Sequence, residues 1–287
     1  PATWYTYALK AASSQETLPS LTDEPVTQCF RTLALSGDPA NPASLDDHSA
    51  PTTLRIAYGS CRKAERTPPD AFSSFGYWLQ EHQNTRAEHW PHLMLLIGDQ
   101  IYADEPPADV VSQRPHMAQG SSSYEDFACL YQYAWTNNWG TRQALAAIPS
   151  YMIFDDHEVT NNWNCTPTSR ADEIKAGREQ LLIDGEVAYW VYQGWGNIDQ
   201  QQDNQHPLLT IMREAALSGE DALERLRIRV KEDVYDREPL TWHYQIPSDP
   251  PIFVTNARTE RTALFRSADD IYAPTHILGE PQMNDLQ

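Results

Sequence analysis

The stretch at residues 93–104, LMLLIGDQIYAD, constrains this chain most. Five apolar residues stop abruptly at Gly98-Asp99, and Tyr102 and Asp104 follow. An apolar run bounded by glycine reads as an interior strand. Open α/β sheets carry their chemistry just beyond the carboxyl ends of such strands. Here that position holds a carboxylate, a phenol and a second carboxylate.

The construction recurs. Residues 54–60, LRIAYGS, run into Cys61-Arg62. Residues 151–154, YMIF, run into Asp155-Asp156-His157-Glu158, and residues 252–254 lead to Asn256 and Arg258. Four core-type strands that end in metal-ligand or anion-ligand residue types point to one site along one rim of a sheet.

With 287 residues, 40% of them hydrophobic, the chain buries a sizeable core in one large or two smaller domains. Its formal charge of -19 argues against a nucleic-acid backbone or an anionic membrane as main partner. An anionic substrate would therefore need a local positive focus, from metal ions or a few arginines. No apolar run approaches the ~20 residues of a membrane span. Cys29, Cys61, Cys129 and Cys165 match no disulfide framework and no CxxC zinc pattern. The chain begins at Pro1 and shows no leader, which leaves the compartment open. Oligomeric state is not legible.

Residues 4–9 and 29–35 are strand-like and resemble the last hairpin of a β-domain. Residues 36–53, rich in Pro, Ser, Asp and Gly, read as a linker to a domain spanning 54–287. Helical periodicity covers 69–82, with Phe72, Phe75, Trp78 and Leu79 on one side. Residues 104–123 read as a polar loop and 124–147 as helix broken near Gly140. A long helix is expected over 172–192 and one or two over 207–234. A strand pair is expected at 242–246 and 252–255, and a helix from 278 onward.

Asp99 has two oxygens and can bridge two cations; Tyr102, three residues on, can reach the same ion, and a phenolate suits Fe³⁺. Each also has a structural reading, as a loop cap and a packed ring. Cys61 beside Arg62 and Lys63 is a candidate ligand or nucleophile, or a buried inert thiol. Arg62 and Arg258 are candidate phosphate clamps. His157 among carboxylates is a candidate ligand or general acid. Asp155, Glu158, Asn161 and Asn162 are candidate supports, and Asp104 a weaker ligand candidate. His82, His89, His92, His206, His243 and His276 lie outside these clusters and read as structural.

At these residues the chain resembles the PhoD-like alkaline phosphatases, a branch of the calcineurin-like metallophosphatases. The matching motifs are Gly59-Ser60-Cys61-Arg62, Gly98-Asp99-Gln100-Ile101-Tyr102-Ala103-Asp104, and Phe154-Asp155-Asp156-His157-Glu158 with Asn161-Asn162. Residues 278–282 are similar to a late segment of the family. The resemblance implies an α/β fold of two mixed β-sheets sandwiched between helices, preceded by the end of a β-sandwich. It implies Cys61, Asp99 and Tyr102 as ligands of Fe³⁺, with Asp99 bridging to a second, divalent ion: Ca²⁺, with Zn²⁺, Mn²⁺ or Mg²⁺ as alternatives. Asp156 stands at a second-metal position, and His157 at the histidine that protonates the leaving oxygen. The implied reaction is phosphoester hydrolysis by in-line attack of a metal-bound hydroxide, with Arg62 assisting.

Two departures shape the expectation. The family completes its site with a later GDxH-like segment that this sequence lacks, and Asn256 stands where many members have aspartate. The chain is therefore expected to be a fragment that holds part of the site. A hydrolase for another class of phosphoester, or a non-catalytic binding module of the same fold, are the competing readings.

Overall fold

The computed structural model describes residues 4–7, 28–31, 54–65, 69–82, 89–198, 206–235, 237–248, 250–263 and 275–286. Its centre is a parallel sheet of β3 (Ile56–Gly59), β4 (Leu93–Ile97) and β5 (Ser150–Ile153), in that spatial order. All three carboxyl ends therefore open on one rim.

Side-chain alternation along β4 explains why an unbroken apolar run is needed there. Leu93 and Leu95 face one core, Met94 and Leu96 another. On the first side lies an antiparallel pair, β6 (Tyr244–Ile246) and β7 (Ile252–Val254), which contributes Tyr244, Ile246 and Val254. On the second lie α1 (Ala71–His82) and α4 (Trp139–Ala147). These helices meet at glycines: a Cβ on Gly76 would fall 1.7 Å from the Gly140 carbonyl oxygen. The fold is thus α/β, and the described strands of its first sheet are all parallel.

The helices obey their sequence signals. Asp70 accepts the Ser73 N–H at 2.7 Å and starts α1. Ser123 caps α3 (Tyr124–Thr136), and Asn138 caps α4, so the expected break falls just before Gly140. The helix expected over 172–192 is instead two, α5 (Pro167–Lys175) and α6 (Glu179–Tyr192). The cause is Gly177, whose φ of 76° is a left-handed stop. The polar loop expected over 104–123 contains a short helix, α2 (Ala108–Gln113), and one 3-10 turn, because Val110 and Met117 pack under α3. In α6 residues 182–190 are all buried, between α3 and α8 (Leu223–Val234). Before α8 comes α7 (Pro207–Ser218), ended by Gly219 at φ 75°.

The outer strands close differently. At β5 the Asn197 amide accepts from Met152 N (3.1 Å) and donates to Met152 O (2.7 Å), satisfying the free edge. At β3, expected to be interior, Tyr58 is 77% exposed. Among the described residues β3 pairs with β4 alone, and a cavity of about 670 Å³ lies beside it against Phe72, Phe75 and Leu96. The apolar run at 54–60 is thus not an interior strand among the described residues: Ile56 and Tyr58 point outward.

β1 (Trp4–Thr6) and β2 (Cys29–Arg31) pair antiparallel as expected. They rest on α4: Cys29 is buried in the core of α1 and α4, and the Tyr7 hydroxyl donates to Ala146 O at 2.8 Å. The strand extensions at 8–9 and 32–35 and the linker at 36–53 lie outside the described residues. Two short strands, β8 (Thr262–Ala263) and β9 (Thr275–His276), pair antiparallel before α9 (Glu280–Asp285). All four cysteines are free thiols.

Candidate active site

Two non-glycine residues with positive φ mark the strand ends: Cys61 (55°) after β3 and Asp99 (53°) after β4. Such geometry is costly for a side-chain-bearing residue and is retained where the neighbourhood over-determines it. Here the two turns grip each other, Cys61 N on Gly98 O at 3.2 Å and Arg62 N on Asp99 O at 2.9 Å. Gly98 is obligatory at φ 99°, because a Cβ there would strike Asp155 Cβ at 2.4 Å.

Glu158 ties the next strand end to these turns. Its side chain is fully buried and accepts from Asp99 N (3.1 Å), Gln100 N (2.7 Å), Asp155 N (2.9 Å) and Gln193 Nε2 (3.1 Å). Burial pushes its carboxyl up to about 8, against the pull of the N–H donors.

On this frame Asp99, Asp155 and Asp156 converge, one carboxylate oxygen of each within 4.8 Å of the others. Asp99 is buried, and burial first, then the Asp155 charge, raise its carboxyl above the usual range. Three carboxylates this close are stabilised by a cation, and all-oxygen donors suit a hard one. Cys61 and Tyr102 border the same cluster. The Cys61 thiol is lowered by the Ser60 hydroxyl, but burial and the Asp99 and Asp155 charges leave it raised on balance. Burial, then Asp99 and Cys61, push the Tyr102 phenol up to about 12. Both would have to lose a proton to act as ligands, which a bound cation promotes. The three carboxylates fit a hard cation, and Cys61 and Tyr102 lie near Asp99 as a further thiol and phenol.

His157 stands over this group. Its ring stacks on Tyr102 at 4.2 Å between centroids, its backbone N–H donates to Asp99 Oδ1 at 3.2 Å, and its ring Nδ1 faces Asp104 Oδ1 at 2.7 Å. Burial lowers its pKa, and Asp104 more than restores it. Asp104, the weaker ligand candidate, is therefore the residue that orients the imidazole. Asn161 and Asn162 serve through their backbones, donating to Asp104 Oδ2 (2.9 Å) and to Asp156 Oδ2. Their side chains are exposed.

The two arginines part company. Arg258 reaches the cluster: Nε pairs with Asp155 Oδ1 and Nη2 with Asp156 Oδ1 at 3.0 Å. Arg62 does not. It turns inward, with Nε on Asp70 Oδ2 (2.7 Å), Nη1 on Ala134 O (2.6 Å) and Nη2 on Thr141 Oγ1 (3.0 Å), its side chain 8% exposed. The left-handed Cys61 sends neighbouring side chains to opposite sides. Arg62 is thus a buried brace, corrected from a catalytic and substrate-clamping expectation. The exposed cation at this turn is Lys63, 5.8 Å from the Tyr102 ring centroid. Gln100, Gln193 and Gln282 are all buried; Gln100 and Gln282 lie within matching stretches but take no role from the sequence, and Gln193 lies in none.

A family profile described as PhoD-like phosphatase matches residues 57–287. The chain belongs to the PhoD-like phosphatase family. A solved structure titled "Structure of PhoD" shares the fold, with a TM-score of 0.50 at 14% identity over 91% of this chain. This PhoD-like chain spans 41% of the length of that one. No curated protein matches it. Among the described residues of this PhoD-like chain, no helix is long and apolar enough to cross a membrane.

Proposed function

We propose that this chain carries the cation-binding and proton-transfer part of a phosphoester hydrolase site, with Fe³⁺ held by Cys61, Asp99 and Tyr102. A divalent cation, Ca²⁺ by preference, takes Asp99, Asp155 and Asp156. The observation that supports this reading is the convergence of Asp99, Asp155 and Asp156, with Cys61 and Tyr102 near Asp99 and His157 bonded to it, in a PhoD-like family member. Bound cations would supply charge neutralisation for the phosphoryl group and an activated water nucleophile.

The chain's own residues do the rest. His157, held by Asp104 through Nδ1, presents Nε2 as the proton donor to the leaving oxygen. Lys63, near the Tyr102 ring, has its ammonium paired with Glu105 Oε2 at 2.5 Å. Glu158 keeps the loops after β4 and β5 in register so that the donors stay convergent. Two cations take more donors than these residues offer, so the remaining positions fall to water, substrate or further ligands.

The test is to load residues 1–287 with Fe³⁺ and Ca²⁺, then assay p-nitrophenyl phosphate and bis-p-nitrophenyl phosphate. Iron binding should bring a visible phenolate-to-iron band that disappears in Tyr102→Phe. Iron bound without that band, or none bound, would sink the ligand assignment. Retained fold with no cation uptake would favour a binding module.

A further inference from the structure

Asn256, Arg258 and Gln282 are joined by one continuous path to the carboxylate cluster. Gln282 on α9 is wholly buried. Its Oε1 accepts Asn256 N at 2.8 Å, and its Nε2 donates to Asn256 O at 2.7 Å. One side-chain amide thus takes both backbone groups of Asn256, as Asn197 does for Met152 at the edge of β5. Asn256, also wholly buried, turns its Oδ1 onto Arg258 N (2.8 Å) and Thr259 N (2.9 Å). Facing two N–H groups, this amide has one workable orientation. The turn so fixed sends the Arg258 guanidinium to Asp155, to Asp156 and to Trp163 O at 3.3 Å.

A guanidinium with donors on two neighbouring carboxylates sets the direction of both. Groups that orient ligands in this way act on cation affinity without touching the ion. We propose that Gln282 is a positioning residue for the cation site, acting through Asn256 and Arg258 on Asp155 and Asp156. The inference rests on the reading of those carboxylates as cation ligands. Its first link, the placement of Arg258, can be tested without any cation.

Two measurements are made on the full chain. The first follows the Arg258 Nε–H resonance in ¹H–¹⁵N spectra of the metal-free protein, a proton protected by its pairing with Asp155. It is expected in the wild type and lost in Gln282→Ala. The second is Mn²⁺ affinity in a double-mutant cycle. Gln282→Ala and Arg258→Ala should each weaken binding about tenfold, with the double variant no weaker than Arg258→Ala. A purely structural glutamine would lower affinity equally in both backgrounds, which overturns the proposal. So would a folded Gln282→Ala that keeps the resonance. If that variant does not fold, Asn256→Ala decides. Loss of the resonance there, with rescue in Asn256→Asp, supports the path, and retention overturns it. A wild type with the expected resonance pattern but no Mn²⁺ binding leaves the Arg258 placement standing and sinks the cation reading instead.

Discussion

Asp104 Oδ1 lies 2.7 Å from Nδ1 of His157, on the far side of the ring from the atom that would meet substrate. A carboxylate in that position holds a proton on Nδ1 and favours the imidazolium, the form in which Nε2 also carries a proton to give. Asp104→Asn should therefore lower phosphoester turnover by roughly ten- to a hundredfold. Cation affinity should change less than twofold, because Asp99, Asp155 and Asp156 keep their contacts. Turnover of the variant at the wild-type rate would remove Asp104 from the mechanism.

Glu158 supports four N–H donors with two oxygens, none of them exposed to water. Glu158→Gln keeps the shape but replaces one acceptor by an NH₂ group. That group would point at two N–H donors and leave them unpaired. A loss of about 3 kcal/mol is expected in urea unfolding at pH 9, where the carboxyl is ionised. A loss below about 0.5 kcal/mol would show that the loops hold together without it.

Asp99 sits in a like-charged group, so its removal has opposite effects on stability and on binding. In cation-free buffer, Asp99→Asn relieves repulsion with Asp155 and should raise Tm by roughly 2–4 °C, equivalent to about 1 kcal/mol. Added Ca²⁺ or Mn²⁺ should stabilise the wild type by about 2.7 kcal/mol at a hundredfold excess over Kd, and the variant far less. Thermal scans with and without cation read both effects at once.

These residues also show what the sequence could and could not reveal. The strand at β4 was legible because a strand buried on both faces must be apolar throughout, and the glycine after it must take a positive φ. Cys61, Asp99, Tyr102, Asp156 and His157 are brought near one another by the structure, and could be named as candidates because they lie just past strand ends. Arg62 follows one too, yet the left-handed turn at Cys61 sends it toward Asp70 and Thr141. Gln282 lies 26 positions from Asn256, in a helix whose periodicity says nothing about its partner. Helix α2 was hidden by the polar composition around two buried residues, Val110 and Met117. Local pattern determines which face is buried; it does not name the group on the other side.

Arg62 offers a direct test of that distinction. Its guanidinium is buried against Asp70, whose other oxygen caps α1. Arg62→Ala strands the Asp70 charge and two further acceptors. It should destabilise the chain by about 3–5 kcal/mol. Arg62→Lys should recover only part of this, since one ammonium cannot span three directions. Substrate KM should stay within twofold under conditions where the variant remains folded. A KM rise without loss of stability would return Arg62 to the substrate.

His243 carries the last prediction, which concerns pH. It is buried between two carboxylates, Nδ1 facing Glu260 Oε2 at 2.5 Å and Nε2 facing Asp285 Oδ2 at 2.8 Å. A neutral imidazole has one N–H and can serve only one of them. Burial alone would lower its pKa, but Glu260 and Asp285 raise it above the ordinary value. The native state therefore holds this proton more tightly than the unfolded chain, whose histidine titrates near ~6.5. By linkage the stabilisation is complete below that value and disappears as pH rises through the higher folded pKa. Asp285 belongs to α9, so the docking of that helix should weaken under alkaline conditions. His243→Gln, which can donate one bond but carries no charge, should have a lower Tm than the wild type at pH 6. The gap should close toward pH 9. A gap that stays constant across this range would mean that the imidazole is neutral throughout and that the clamp is not ionic.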